Sequence, residues 1–324
     1  MSLLQEPGII EQVRGAPDAD VQATPPKASS LRRDTVRNIF RQRSAIIGFS
    51  ILGFLLFVAL SAPIIAPYDP NTSMLDIGVD DPGVRGSPPC IHLLGCPADQ
   101  REHLMGLDSN LRDTFSRVIY GSRFSLLIGF VTVSLAILIG ASIGALAGFF
   151  SGTTDNLLMR LMDVVLSFPS LILAIAIVTV LGTGLTNAML AIAIVSIPIY
   201  ARVMRASVLS VRETDFVTAS RALGESSMGT LRRRILPNAM TPLIVAGTLG
   251  IGGAILEVAA LSFVGLGAQP PTAEWGSMIA SDRNLFFSAP HLILFPGIAI
   301  TLSVLAFNLI GDGMRDALDP RLNR

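Results

Sequence analysis

Lysine is almost missing from this chain: Lys27 is the only one among 324 residues. A P-loop needs a lysine after a glycine-rich turn, and Lys27 follows two prolines, which excludes nucleotide hydrolysis of that type. Charge is scarce too, at 15% Asp, Glu, Lys and Arg, against about 25% in ordinary soluble domains. Two cysteines rule out a disulfide-dense scaffold. A formal net charge of zero gives no sign of a nucleic-acid partner. No HExxH and no paired intramembrane aspartates occur, and the G-x-S-x-G at residues 140–144 lies inside a continuous apolar run instead of at a strand-to-helix turn, so no hydrolase constellation is read and no catalytic residue, cofactor site or metal site is assigned. What is abundant is apolar sequence: 51% of residues are hydrophobic and mean hydropathy is +0.60.

A helix crosses about 30 Å of hydrocarbon with about 20 mostly apolar residues. Six such segments are expected: 44–68, 124–154, 157–181, 185–205, 242–266 and 291–311. Gly182, Thr183 and Gly184 divide the third from the fourth, and Glu257 is the only charge in the fifth. Pro169 and Pro198 are expected to kink their spans. The predicted fold is therefore all-α and polytopic, with about six transmembrane helices.

The arginines orient it. Residues 31–43 hold five (Arg32, Arg33, Arg37, Arg41, Arg43) against Asp34, and residues 201–240 hold seven. Residues 67–121 hold four arginines against eight acids. The positive-inside rule places the amino terminus and 201–240 in the cytoplasm and 67–121 outside. Six crossings then return the carboxyl terminus, with Arg315, Arg321 and Arg324, to the cytoplasm. The first span follows 43 residues and its apolar run outlasts a signal h-region, so it is expected to be retained. The predicted organisation is a disordered cytoplasmic tail at 1–30, a basic segment and first helix at 31–66, an extracytoplasmic loop at 67–121, a five-helix core at 122–313 containing a cytoplasmic loop at 207–240, and a cytoplasmic tail at 314–324.

In the outer loop, Cys90 and Cys96 lie on the oxidising side with five residues between them, which favours a disulfide. Two free thiols, or a metal site with His92 and His103, are the alternatives, although that spacing fits no zinc pattern. Residues 111–120 look helical. His92, His103 and His291 are read as structural, and Tyr68, Tyr120 and Trp275 as an aromatic belt at span ends.

The most informative stretch is 214–237, TDFVTASRALGESSMGTLRRRILP. Thr214 is placed to cap a short helix with Asp215 in its first turn, and Gly224 to end it in the left-handed region. Phe216, Ser220 and Leu223 share one face at helical spacing. A second helix starting at Ser226 or Ser227 is expected to bury Met228, Leu231 and Ile235, with Pro237 stopping it before the fifth span. An apolar, arginine-bearing hairpin of this kind suits protein docking, and anionic lipid is the alternative surface.

This stretch resembles the EAA loop of the permease subunits of ABC importers. Thr218, Ala219 and Ser220 hold the triplet, Gly224 follows after three further residues, and Leu236–Pro237 closes thirteen residues past the glycine. Thr218 stands where glutamate is usual and Arg234 where isoleucine is common. The likeness narrows to the C-type permeases of dipeptide and oligopeptide importers, a group that includes nickel and glutathione systems. It extends over HLMGLDSNLRDTFSR at 103–117 (Leu111 replacing the usual glycine), RLMDVVLSFP at 160–169, IYARVMRASVLSVR at 199–212 and LEVAALSFVGLG at 256–267.

The resemblance implies a type I-like permease in the bacterial cytoplasmic membrane that lacks ATPase activity of its own. It implies a homologous permease as heterodimeric partner, separate cytoplasmic ATP-binding subunits, an extracytoplasmic substrate-binding protein, and peptide as cargo. It assigns ATPase coupling to Phe216, Thr218, Ala219, Ser220, Arg221, Leu223, Gly224, Leu236 and Pro237. Secondary transport without ATPases is the competing class, and neither clear inverted repeats nor several buried charges support it.

Within the spans, Asp163 is read as a rim residue paired with Arg160, and Glu257 as lying toward the outer end of its helix; a place in the conduit or a proton relay is the other reading. Gly140, Gly144 and Gly148 recur every fourth residue, a stripe for close helix packing.

Overall fold

The computed structural model describes residues 38–76 and 83–318. The expectations for the tails at 1–30 and 319–324, and for Arg32, Arg33, Asp34, Arg37, Arg321 and Arg324, fall outside these residues. Ten α-helices are labelled in chain order: α1 Arg43–Ile65, α2 Thr114–Phe150, α3 Gly152–Leu166, α4 Ser170–Leu181, α5 Leu185–Arg212, α6 Asp215–Ala222, α7 Ser227–Thr230, α8 Leu236–Phe263, α9 Trp275–Asp282 and α10 His291–Leu318. Among the described residues the only strand-like pairings are the isolated bridges Cys90–His103 and Leu107–Asp113. Among the described residues five helices are long and apolar enough to cross a membrane, and a sixth span results if the bent pair α3–α4 is counted as one.

α2 is 37 residues long and begins ten residues before its expected apolar start. The reason is local. Asp113 caps it by accepting from the Ser116 amide at 2.8 Å, and residues of the preceding segment, Tyr68 and Pro70, bind Ser116 and Arg117 in its polar first turns. α2 packs on α5 and α8, and α10 packs between α1 and α8. The glycine stripe sets the α2–α5 distance: a Cβ on Gly144 would lie 2.1 Å from the Ala201 carbonyl oxygen. Small residues permit that approach where lipid supplies no hydrophobic drive between helices.

Pro198 sits inside α5 without ending it, whereas the expected kink at Pro169 is a full break. α3 and α4 meet at 89° across Ser167, Phe168 and Pro169. α4 has only 12 residues, or about 18 Å at 1.5 Å per residue, too short to cross alone.

The segment between α1 and α2 is tied to the bundle by buried polar contacts. Cys90 and Cys96 are joined in a disulfide, and Cys90 exchanges two backbone hydrogen bonds of 2.9 Å with His103. His103 Nδ1 lies 2.9 Å from Asp113 Oδ1. Arg117, buried, donates to the Pro70 and Pro271 carbonyls at 2.6 and 3.2 Å, and the Ser109 amide donates to Asp282 at 3.1 Å. Burial raises the Asp282 and Glu274 carboxyls above the ordinary range; Glu274 is offset by its cap of the Gly276 and Ser277 amides, both at 2.8 Å. The aromatic belt is corrected at Trp275, which is 1% exposed and donates through Nε1 to the Val118 carbonyl at 2.9 Å. It is a core residue because α9 folds back against the top of α2.

Leu111 has φ of +59°, the region that favours glycine. The expected helix at 111–120 accordingly starts only at Thr114. Leu111 is held there by burial with Met74 and Leu107.

Candidate functional site: the hairpin between α5 and α8

After α5 the chain turns at Glu213–Thr214 and again at Leu223–Gly224 before it enters the helix that begins at Ser227. Thr214 occupies the cap position of α6, but its hydroxyl donates to the Val211 carbonyl at 2.6 Å and makes no cap to α6. That corrects the expected cap: the hydroxyl closes the last turn of α5. Gly224, at φ +83°, ends α6 as expected. Its amide bonds Arg221 O at 3.0 Å and the Glu225 amide bonds Ser220 O at 3.2 Å, the paired closure of a Schellman motif.

The faces of α6 divide differently from the spacing-based expectation. Val217 is buried and Ser220 is 7% exposed, facing the body, whereas Phe216 is 47% and Leu223 89% exposed. Ser220 turns inward because its hydroxyl donates to the Glu225 carboxylate. Arg234 reaches the same carboxylate at 3.2 Å. Those two contacts, Ser220 first, hold the Glu225 carboxyl below the usual carboxylate range. One acid thus ties the end of α6 to the following helix. Thr218, Ala219, Arg221 and Gly224 all remain exposed.

The second half is also corrected. Ser226 caps α7 through the Gly229 amide at 3.2 Å. Leu231 and Ile235 are buried as expected, but Met228 is half exposed. Pro237 does not stop the helix: α7 passes through a π turn, Leu231–Ile235, directly into α8, giving one 37-residue helical segment from Ser227 to Phe263. The wide turn accommodates the ring and missing donor of Pro237, and Asn238 Nδ2 donates to Arg234 O at 2.6 Å. Leu236 is half-buried and Pro237 exposed at the junction.

The hairpin is fastened to the bundle from above. Arg212 donates to the Gly148 and Phe149 carbonyls at 3.2 and 3.1 Å, and Arg205 binds Asp155 at the start of α3. Asp163 pairs with Arg202 at 2.6 Å and not with Arg160, because α3 runs across the flank of α5 and presents the acid to it. The sequence pattern missed all of these cross-helix pairs, whose members are about 40 to 60 residues apart. Among the described residues no group of three His, Cys, Asp or Glu side chains is arranged to hold a metal.

The bundle and its hairpin define a polytopic membrane protein. Residues 140–324 match the family described as binding-protein-dependent transport system inner membrane component, and residues 30–89 match the N-terminal transmembrane domain of oligopeptide transport permease C. The chain belongs to this family of binding-protein-dependent inner-membrane components, as an ABC importer permease of the dipeptide/oligopeptide type. It is 42% identical over 295 residues to the dipeptide transport system permease protein DppC of Alkalihalophilus pseudofirmus, covering 91% of each chain. It is 46% identical over 280 residues to the di/tripeptide transport system permease protein DppC of Pseudomonas aeruginosa, covering 86% of this chain and 89% of that one. It is also 39% identical to the glutathione transport system permease protein GsiD of Pectobacterium atrosepticum, with 90% and 91% covered. A chain of the MetNI methionine ABC transporter in an inward-facing conformation superposes with a TM-score of 0.53 at 20% identity, covering 63% of this chain and 97% of that chain; this likeness concerns the fold.

Proposed function

We propose that this permease moves di- or oligopeptides across the cytoplasmic membrane in a heterodimer with a homologous permease. Separate ATP-binding subunits hydrolyse the ATP, and an extracytoplasmic binding protein delivers the cargo. In this reading both termini and residues 207–240 are cytoplasmic, 67–121 is outside, and 122–313 is the transporting core. The relatives named for dipeptide transport support the peptide cargo; the glutathione relative keeps a γ-linked tripeptide in the same class.

One observation carries the coupling role: α6 keeps Phe216 and Leu223 exposed although its other face is locked by Ser220 and Glu225. Exposed apolar groups on a fixed short helix suit a cleft in another protein, and lipid is the weaker candidate because the acid Asp215 and the polar Thr218 share that exposed surface. Phe216, Thr218, Ala219, Arg221 and Leu223 would make the contact, while Ser220, Gly224, Leu236 and Pro237 would hold its shape. ATPase-driven closure would then push on α6 and move the spans as bodies.

The test is the Arg221→Glu variant in the assembled transporter. ATP-dependent peptide uptake should be lost while membrane insertion stays normal, and the ATP-binding subunits should no longer co-purify. Unchanged uptake, or uptake by the chain without any ATPase, would overturn the coupling. Uptake of glutathione in preference to dipeptides would overturn the cargo alone.

A further inference from the structure

The break between α3 and α4 has a property that lipid contact does not tolerate. Ser167, Phe168, Pro169 and Ser170 are all exposed, and the helical ladder is interrupted there by the 89° bend. Non-helical backbone at membrane depth persists only where protein covers it or where it lines a water-filled cavity. The depth follows from the far ends of the helices. The Gly184 amide binds Leu266 O at 3.1 Å, which sets the outer ends of α4 and α8 at one level. At 1.5 Å per residue along the helix axes, Glu257 lies about 9 Å from Phe263 and Ser170 about 17 Å from Leu181, which keeps both away from the helix ends and within the span of a roughly 30 Å hydrocarbon layer.

Glu257 lies against the Ser170 hydroxyl at this break. Asp155 and Asp163 each have an arginine, Arg205 and Arg202. Glu257 has no cationic partner within 4.0 Å among the described residues. An acid at that depth needs a partner or water, and Gly253, one turn away on α8, leaves open space beside it.

We propose that the α3–α4 break and Glu257 line the water-filled translocation path, and that Glu257 engages a primary ammonium on the cargo, such as the free amino terminus of a peptide. This rests on the importer reading above and assigns one point of its conduit. Peptides and glutathione both carry that group, so the ligand chemistry is shared by either cargo.

The test places a cysteine at the break (Ser170→Cys) in the assembled transporter in membranes. Its modification is followed by mass spectrometry with two water-soluble methanethiosulfonates, one trimethylammonium and one sulfonate. The cationic-to-anionic rate ratio, relative to a free thiol in solution, should be about tenfold above unity, the scale of one nearby unit charge at intermediate dielectric. Adding Glu257→Gln should return it to unity. Glu257→Gln alone should lower peptide uptake about tenfold with ATP hydrolysis retained, and it carries the test if Ser170→Cys does not assemble. No reaction with either reagent, as lipid or a partner covering the break would give, overturns the inference. So does a ratio indifferent to Glu257→Gln, or undiminished uptake. Parent membranes assayed in parallel separate the two ideas: ATP-dependent uptake with a flat ratio sinks this inference alone, and absent uptake sinks the importer reading.

Discussion

Arg205 and Asp155, fifty positions apart, meet through two hydrogen bonds of 2.5 and 2.6 Å. The carboxylate lies at the first turn of α3 and the guanidinium in the lower part of α5, so this fork fixes where α3 leaves the bundle. Asp155 is buried, and charge-assisted bonds of this kind contribute about 1.5–3 kcal/mol when a partner is removed. Asp155→Ala should lower the melting temperature of the detergent-solubilised chain by several degrees. Arg205→Lys should recover only part of the difference from Arg205→Ala, because an ammonium cannot reproduce the fork; full recovery would count against a geometric role.

Gly144 is expected to be the least replaceable glycine of the α2 stripe. Gly144→Ala places a methyl on the Ala201 backbone and forces the helices apart, at a cost of about 1–3 kcal/mol typical of overpacking. Gly53→Ala on α1, with nothing within 4 Å of its Cβ, should be neutral. Comparing the thermal stability of the two variants checks this.

At Gly224 the demand is conformational. Its φ of +83° costs a non-glycine residue about 1–2 kcal/mol, and nothing within 4 Å obstructs a side chain. Gly224→Asn should therefore keep more ATP-dependent uptake than Gly224→Ala, and both more than Gly224→Val. Retained uptake in the valine variant would detach the turn from transport.

Glu225 makes the hairpin sensitive to acid in a defined direction. Its folded carboxyl is held below the reference value of 4.5 by Ser220 and Arg234. The stabilisation is complete above about pH 4.5 and is lost as pH falls through the lower folded value. Amide exchange across 220–234 should be flat from pH 8 to about pH 5 after correction for intrinsic rates and accelerate in stronger acid. Glu225→Gln should remove that acid limb.

Sequence and structure agree where a single element decides the outcome. An uncharged run of sufficient length marks a span, and Gly224, four positions past the triplet of α6, adopts the left-handed turn. They part where the deciding group is distant. Trp275 reads as an interfacial aromatic until α9 folds its indole onto the Val118 carbonyl. Asp163 has Arg160 at favourable helical spacing, yet Arg202 on another helix is nearer. Pro237 is a stop signal in isolation, and only the π turn before it shows how the helix continues. Leu111 carries no local sign that burial with Met74 and Leu107 holds it where glycine is favoured. The assignment of Phe216, Thr218 and their neighbours to coupling is a matter for the uptake assays.

The continuous helical passage from Ser227 to Phe263 leaves no loop between the hairpin and the bundle. Thirty-seven residues of helix form a shaft about 55 Å long, its foot clamped by Arg234 to Glu225 and its upper reach bearing Glu257. A displacement at the foot meets no loop that could absorb it. It travels as tilt or rotation, and the places along the way that can yield are the π turn at Leu231–Ile235 and Pro242 inside α8.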